Sequence, residues 1–278
     1  MTSPVPSPDN VSHIIRRVAR DIIMPAFQAL SDHQVYEKRP GEVVTEIDLA
    51  AEKQLIQQLT DLVPGSQALG EESFEDDPSL IELLSAPGPV WVIDPLDGTK
   101  NYTKCNPHFA IIISFRLNCI TQAAWIYDPV RDVMISAQLG QGVWGNDKRL
   151  EAQGADKSLG HLRGSLGTSL SKRHQALVTA HQSDLPTLNA RLRCCGQEYM
   201  ALAQGEIQFL QYGIRLKPWD HSAGVLIATE AGYHAAFLED ESHYDAALLS
   251  SQGMPEGYLM MAPDYQSWLS LRDLLWKT

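Results

Sequence analysis

The hydrophobic positions divide the chain into stretches of different period. Val11, Ile14, Ile15, Val18, Ile22, Ile23, Phe27 and Leu30 recur every three or four residues, which predicts an amphipathic helix. Pro25 is expected to kink it, because proline lacks the N–H that the helical ladder needs. A second helix is expected from about Glu46 to Val63, stopped by Pro64-Gly65. Val90–Ile93 reads as a short apolar strand running into a polar turn, Asp94-Pro95-Leu96-Asp97-Gly98-Thr99. From about residue 109 the pattern changes to strands. Phe109–Leu117, Ile120–Tyr127 and Val133–Gln138 read as strands of an antiparallel meander, with turn residues at Asn118-Cys119 and Asp128–Asp132. Beyond residue 150, strand-like runs (Ala176–Thr179, Ile207–Gln211, Tyr258–Met261) alternate with helical ones (Gln197–Ala203, His221–Ala231, Gln266–Trp276). That alternation predicts a layered α/β arrangement. The expected division is an N-terminal α+β half, 1–150, with the antiparallel sheet, and a C-terminal α/β half, 151–278.

Composition narrows the picture. The chain has 278 residues and is 44% hydrophobic, enough to build a full core without disulfides. Its four cysteines form no CxxC pair, so neither a disulfide framework nor a zinc knuckle is expected. The most apolar segment, Phe109–Phe115, is too short to cross a bilayer. Met1–Asn10 is polar and proline-rich, unlike a secretory signal, so a cytoplasmic location is expected. Acidic residues outnumber basic ones by 34 to 22, a formal charge of −12. Such a field repels nucleic acid and anionic membrane, and neither is an expected partner. An anionic substrate would then have to be drawn in by bound cations or by focused backbone dipoles.

Several segments carry candidate chemistry. Gly140-Gln141-Gly142-Val143-Trp144-Gly145 matches GxGxxG, but strand-like residues and an Asn146-Asp147 turn follow where a dinucleotide site needs a helix. It reads as a glycine-rich hairpin. Asp94 and Asp97 are consistent with an ordinary turn. They equally form a pair of oxygen ligands for a hard cation, with the Leu96 carbonyl as a further ligand. A helix starting near Thr99 would turn free N–H groups toward a phosphate, with Gly98 allowing close approach. Glu71 lies in Gly70-Glu71-Glu72-Ser73, and the acids from Glu72 onward read as a solvated loop. Asp220, in Lys217-Pro218-Trp219-Asp220-His221-Ser222-Ala223-Gly224, reads as a helix cap or a ligand. Asp48, in Thr45-Glu46-Ile47-Asp48, fits a capping box or a site. All five acids stand at strand or helix ends, where α/β folds build sites. Brought together, they would repel and raise each other's pKa, an arrangement tolerable only with metal ions between them.

Gly70-Glu71-Glu72-Ser73, Asp94-Pro95-Leu96-Asp97-Gly98-Thr99 and Trp219-Asp220 with Ala223-Gly224 resemble the signatures of the inositol monophosphatase family. Their order and spacing agree from about residue 11 to 276. The resemblance implies a five-layer αβαβα sandwich of the inositol monophosphatase/fructose-1,6-bisphosphatase type. It implies a magnesium-dependent, often lithium-sensitive phosphomonoesterase, commonly a homodimer, using two to three Mg²⁺ ions. Glu71, Asp94 and the Leu96 carbonyl would hold one ion, and Asp94, Asp97 and Asp220 a second. A third, weaker ion would sit near Glu71. Asp48 and Thr99 would orient the attacking water, with Thr99 and Glu71 aiding its deprotonation. The amides of Gly98 and Thr99 would hold the phosphate. Asp97-Gly98-Thr99 also matches the end of the haloacid dehalogenase DxDGT motif, but Pro95 stands where that class needs its nucleophilic Asp.

Substrate contacts are expected at Gly98, Thr99, Gly196, Glu198 and Asp220. The glutamate that contacts the inositol ring in inositol-specific members has no counterpart in Gln211–Lys217. Glu198 is a substitute from a different place. Arg215 and Lys217 read as a solvated basic turn or as partners of a second phosphate. His221 reads as dispensable, since metals leave little need for a protein acid. The expected partner is a small phosphorylated metabolite resembling inositol monophosphate. Alternatives are a 3′(2′),5′-bisphosphate nucleotide, histidinol phosphate or fructose 1,6-bisphosphate, or a silent interaction module on the same fold.

Overall fold

A computed structural model describes residues 5–29, 35–39, 42–150, 157–247 and 254–276. Helix α1 (Pro8–Val18) passes through a single π turn, Ala19–Ile23, into the short α2 (Met24–Ala26). Its face is Val11, Ile14, Ile15 and Val18, as the periodicity required. The expected kink at Pro25 is not what breaks the α-helical ladder. The break is the π turn ahead of it, where the Met24 N–H reaches back to Ala19 O, and the helix ends one residue past Pro25. Leu30 lies outside the described residues.

Strands β1 (Val35–Arg39) and β2 (Glu42–Thr45) form a small antiparallel ribbon that leads into α3 (Glu46–Leu62). Strand β3 (Gln67–Gly70), helix α4 (Glu71–Asp76) and a 3₁₀ segment precede β4 (Pro89–Asp97). Helix α5 (Thr99–Thr103) then separates β4 from the meander β5 (Ala110–Leu117), β6 (Ile120–Asp128), β7 (Val133–Gln138), β8 (Gly142–Gly145) and β9 (Lys148–Leu150). These seven strands, β3 to β9, make one sheet in chain order. The β3–β4 pair is parallel. The later elements are β10 (Arg163–Ser165), α6 (Thr168–Thr179), β11 (Thr187–Leu188), α7 (Cys195–Ala203), β12 (Phe209–Tyr212), α8 (Pro218–Glu230), β13 (His234–Phe237), β14 (Leu259–Ala262) and α9 (Tyr265–Leu275). Their strands form a second sheet in the order β11-β10-β12-β14-β13.

Alternation along the strands builds the layers. Ile111, Ile113, Phe115, Ala123 and Trp125 pack against Val11, Ile15, Leu55 and Leu59 of α1 and α3. Their neighbours Ala110, Ile112, Ala124 and Ile126 pack against Tyr199, Ala223 and Ile227 of α7 and α8. On the second sheet, Leu210, Ala235 and Met261 face that same helical layer. Phe209, Ala236 and Met260 face Leu170, Trp268 and Leu271 of α6 and α9. The result is the expected five-layer αβαβα sandwich, with α7 and α8 between the two sheets.

Two local expectations are corrected. Ala176–Thr179 is the last turn of α6, not a strand. Its four residues fit either period, but Leu170, His174 and Leu177 share one helical face. The strand at Val90 does not stop at Ile93. It continues to Asp97 with a register break between Asp94 and Asp97. Pro95, without an N–H for the ladder, sits in that break.

Candidate active site

The register break in β4 lets one strand end supply two acids. Asp94 is 1% exposed and accepts a backbone bond from Leu96 N at 3.0 Å. Asp97 accepts from Gly196 N at 2.6 Å and from Cys194 Sγ at 3.0 Å. The next residue, Gly98, has φ 89°. A Cβ there would meet His108 O at 2.8 Å, so both the backbone and the space require glycine. Thr99 opens α5, as expected of a helix start at that position.

Neighbouring elements bring the remaining acids. Parallel strand β3 ends at Gly70, and Glu71 is the first residue of α4. Pro218 opens α8 and puts Asp220 in its first turn. Carboxylate oxygens of Glu71, Asp94 and Asp220 lie within 4.8 Å of one another. Asp48 is part of the expected capping box and also belongs to the site. Its Oδ2 accepts from Thr45 N at 2.8 Å and Thr45 Oγ1 at 2.5 Å. Its Oδ1 faces Thr99 Oγ1 at 3.0 Å. The same Thr99 hydroxyl lies 3.0 Å from Leu96 O, so its one hydrogen serves either acceptor in turn.

The electrostatics are those of like charges held together. Burial, then Glu71, Asp97 and Asp220, push the Asp94 carboxyl well above the usual carboxylate range. Burial and then Glu71 raise Asp220 to about 8, with Lys217 pulling it back. Burial raises Asp97 and Asp48 to about 6. Lys217 Nζ lies 3.1 Å from Glu71 Oε1 and over the Trp219 ring. Among the described residues, the Lys217 ammonium alone does not balance these carboxylates. Oxygen-only donors of this kind, with a backbone carbonyl beside them, suit a hard divalent cation. The residues therefore fit a site for a hard divalent cation.

Other expected residues have different surroundings. Gly196 gives its N–H to Asp97, and a Cβ there would lie 2.8 Å from Ala110 Cβ. Glu198 is 1% exposed and accepts from Arg191 Nε, Leu192 N and Tyr212 OH. Lys217 is partly buried beside Glu71 rather than in a solvated turn; Arg215 is exposed. His221 is 3% exposed, hydrogen-bonded to Tyr199 OH at 3.1 Å, and lowered to about 3 by burial, Arg191 and Lys217. The acids from Glu72 onward are not a solvated loop throughout. Glu72 is 6% exposed in α4.

The sequence reading missed Glu52. This α3 acid is 3% exposed and accepts from Glu72 N, Ser73 N and Ser73 Oγ. It thereby holds the start of α4, and so Glu71, in place. A Cβ at Gly70 would come within 2.2 Å of the Glu52 carboxyl. The only sequence signal was a charged residue at the helical spacing of Ala51, Leu55 and Leu59.

A family model described as the inositol monophosphatase family matches residues 9–254. The chain belongs to the inositol monophosphatase family. It is a phosphatase by membership. Among curated relatives, the Nus factor SuhB of Escherichia coli K12 is 31% identical over 230 residues, covering 80% of this chain and 82% of that one. The Nus factor SuhB of Pseudomonas aeruginosa is 32% identical over 234 residues, with the same coverage. An IMPase of Thermotoga maritima shares the fold at a TM-score of 0.78 and 20% identity, over 96% of this chain and 95% of that one. An IMPase/NADP phosphatase complexed with NADP and Ca²⁺ also has a TM-score of 0.78 and 20% identity, over 96% and 94%. Among the described residues no helix is long and apolar enough to cross a membrane.

Proposed function

We propose that this family member is a Mg²⁺-dependent phosphomonoesterase of a small phosphorylated polyol resembling inositol monophosphate. The observation that carries the reading is the convergence of the Glu71, Asp94 and Asp220 carboxylates. Glu71, Asp94 and the Leu96 carbonyl would hold one ion, and Asp94, Asp97 and Asp220 a second; a third would sit near Glu71. Bound there, the ions would supply Lewis acidity toward the phosphoryl oxygens and make water a usable nucleophile at neutral pH. Asp48 fixes the Thr99 hydroxyl as a hydrogen-bond donor. The Thr99 oxygen is then free to accept from an attacking water and orient it. Glu71 would assist in removing the water proton. The amides of Gly98 and Thr99 would hold the phosphate, while Gly196, through its N–H to Asp97, and the enclosed Glu198 would support that side from α7. A homodimer and lithium sensitivity follow from the resemblance, and a cytoplasmic setting completes the reading.

Support for a small phosphorylated ligand comes from the neighbours. A Staphylococcus aureus IMPase-II is described with inositol monophosphate bound and with 2′AMP bound, at TM-scores of 0.74. The curated relatives are designated Nus factors rather than enzymes, which favours a second reading in which the chain also binds a macromolecule. Its charge of −12 points that contact toward protein rather than nucleic acid.

The test is phosphate release with millimolar Mg²⁺ from myo-inositol 1-phosphate, 3′-phosphoadenosine 5′-phosphate, histidinol phosphate and fructose 1,6-bisphosphate. Preference for the first supports the polyol reading, and preference for another transfers the site to that substrate. No release from any, together with no Mg²⁺-dependent rise in Tm, overturns the metal site.

A further inference from the structure

Two side chains beside the acid cluster have no part in the proposed reaction. Cys195 is the first residue of α7, and His221 follows Asp220 in the first turn of α8. The two helices pack on one another between the sheets. Their packing brings Cys195 Sγ, a His221 ring nitrogen and an Asp220 carboxylate oxygen within 4.8 Å of one another. Cys195 is a free thiol, although Cys194 precedes it. The Cys194 thiol is engaged by the Asp97 carboxylate at 3.0 Å.

The protein itself fixes the His221 ring. Tyr199, one turn along α7 from Cys195, has its hydroxyl 3.1 Å from His221 Nδ1. The Tyr212 ring packs beside the imidazole at a centroid distance of 4.7 Å. The Tyr212 hydroxyl also lies 3.4 Å from the Cys195 carbonyl, so one tyrosine ties both residues together. Metal-ligating histidines are commonly oriented by a further contact of this kind. Cys195 and Asp220 each keep some exposed surface, while His221 is buried, so the group is not sealed from solvent.

A thiolate, an imidazole and a carboxylate together are not a donor set for Mg²⁺, which takes oxygen ligands. Zn²⁺ takes sulfur, nitrogen and oxygen in tetrahedral sites, including sites with three protein ligands and water in the fourth position. We propose that Cys195, Asp220 and His221 form a Zn²⁺ site, distinct in its donors from the Glu71–Asp94–Asp220 cluster but sharing Asp220 with it. The thiol loses its proton to solvent as the Zn–S bond forms. Asp220 belongs to both groups, so zinc bound there takes this carboxylate from a magnesium ion and inhibits phosphate release. That inhibition rests on the phosphatase reading; the zinc site itself does not.

The test is titration of Co²⁺, a spectroscopic stand-in for Zn²⁺, into the protein in millimolar Mg²⁺. The expected result is a near-ultraviolet sulfur-to-cobalt charge-transfer band that saturates at one ion per chain and is displaced by Zn²⁺. The band should vanish in Cys195→Ser, which keeps the shape of the side chain. It should persist in Asp94→Asn, which removes no ligand of this site. His221→Gln should weaken cobalt binding by at least ~10-fold, the low end even for an outer-shell partner of a metal. Four results would each overturn the site: no band; a band that survives in Cys195→Ser and so belongs to Cys105 or Cys119; loss of the band in Asp94→Asn; or equal binding by His221→Gln. Zn²⁺ should also inhibit Mg²⁺-dependent phosphate release at least ~10-fold more tightly in the wild type than in Cys195→Ser. Equal inhibition of the two would overturn the coupling through Asp220. The cobalt band needs no turnover, so a saturable band in a chain that releases no phosphate would uphold the zinc site and count against the phosphatase reading alone.

Discussion

Glu52 and Asp94 are both acids with almost no exposed surface, 3% and 1%, yet their surroundings are opposite. Glu52 is enclosed by donors, two backbone N–H groups at 2.8 Å and a serine hydroxyl at 2.5 Å. Asp94 accepts one N–H from its own strand and otherwise faces Glu71, Asp97 and Asp220. The first carboxylate is satisfied by protein, and its role is to fix a helix start. The second has no such enclosure, and on the proposed reading a bound cation would satisfy it. Burial alone therefore does not mark a site; the sign of the neighbours does. Glu198, enclosed by Arg191, Leu192 and Tyr212, resembles Glu52 more than Asp94.

The largest expected effect breaks the Asp94 side of this contrast. Metal ions supply several kcal/mol of charge stabilisation, so Asp94→Asn should lower phosphate release by ~10³-fold or more. It should also abolish the Mg²⁺-dependent rise in stability, about 2.7 kcal/mol at a hundredfold excess over Kd. Without Mg²⁺, the same variant should melt at or above the wild-type temperature, because a repelled buried charge is gone. A metal-free Tm well below wild type would show that Asp94 is structural, as Glu52 is.

Glu52→Ala tests the other side. It leaves the α4 N–H groups and the Ser73 hydroxyl without their acceptor, which should cost about 1–3 kcal/mol in urea unfolding. The Mg²⁺ shift should survive, reduced only as far as Glu71 drifts. Complete loss of that shift with unchanged stability would place Glu52 among the ligands instead.

How far the sequence disclosed this contrast depended on the residue. Asp94, Asp97 and Asp220 sit in dense local patterns of Pro, Gly and Trp, and these patterns carried the family resemblance. The meander was legible because its β-rich runs are separated by turn residues at Asn118-Cys119 and Asp128–Asp132. Glu52 was not legible, since its donors come from residues 72 and 73, on another helix. The approach of Cys195 to His221 was hidden for a similar reason, since only the packing of α7 on α8 brings them together. The last turn of α6 was misread because a four-residue window of β-prone residues carries no period, and the helical face extends upstream to Leu170.

The pH dependence of the metal-free protein sharpens the comparison. Folding raises Asp48 and Asp97 to about 6 and Asp220 to about 8. Such groups bind protons more tightly when native, so stability falls with rising pH wherever the folded state holds more protons. The contribution is full below the unfolded carboxyl value of about 4 and is lost as pH rises through about 6 and then about 8. Tm measured in chelator should therefore decline from pH 5 to pH 8.5, and added Mg²⁺ should restore more at the upper end. A Tm in chelator that rises over this range would contradict the repelling cluster.

The smallest expected effect concerns the residue beside Asp220. His221 has the type and place of a general acid, but its surroundings argue otherwise. Burial, with the Arg191 and Lys217 charges, lowers it to about 3, so the ring is neutral at neutral pH. Its Nδ1 is engaged by the Tyr199 hydroxyl, and the rings of Tyr199 and Tyr212 pack around it at centroid distances of 6.1 and 4.7 Å. The tyrosines enclose the ring much as donors enclose Glu52, although a ring nitrogen also lies within 4.8 Å of an Asp220 carboxylate oxygen and of Cys195 Sγ. His221→Ala should lower kcat by less than ~100-fold, the low end for a group that transfers a proton in the transition state, while lowering Tm through lost packing. It should leave the shape of the kcat–pH profile between pH 6 and 8 unchanged. Disappearance of a titration from that profile would make His221 a proton donor despite its enclosure, and would show that neighbours alone do not separate structural from catalytic groups in this site.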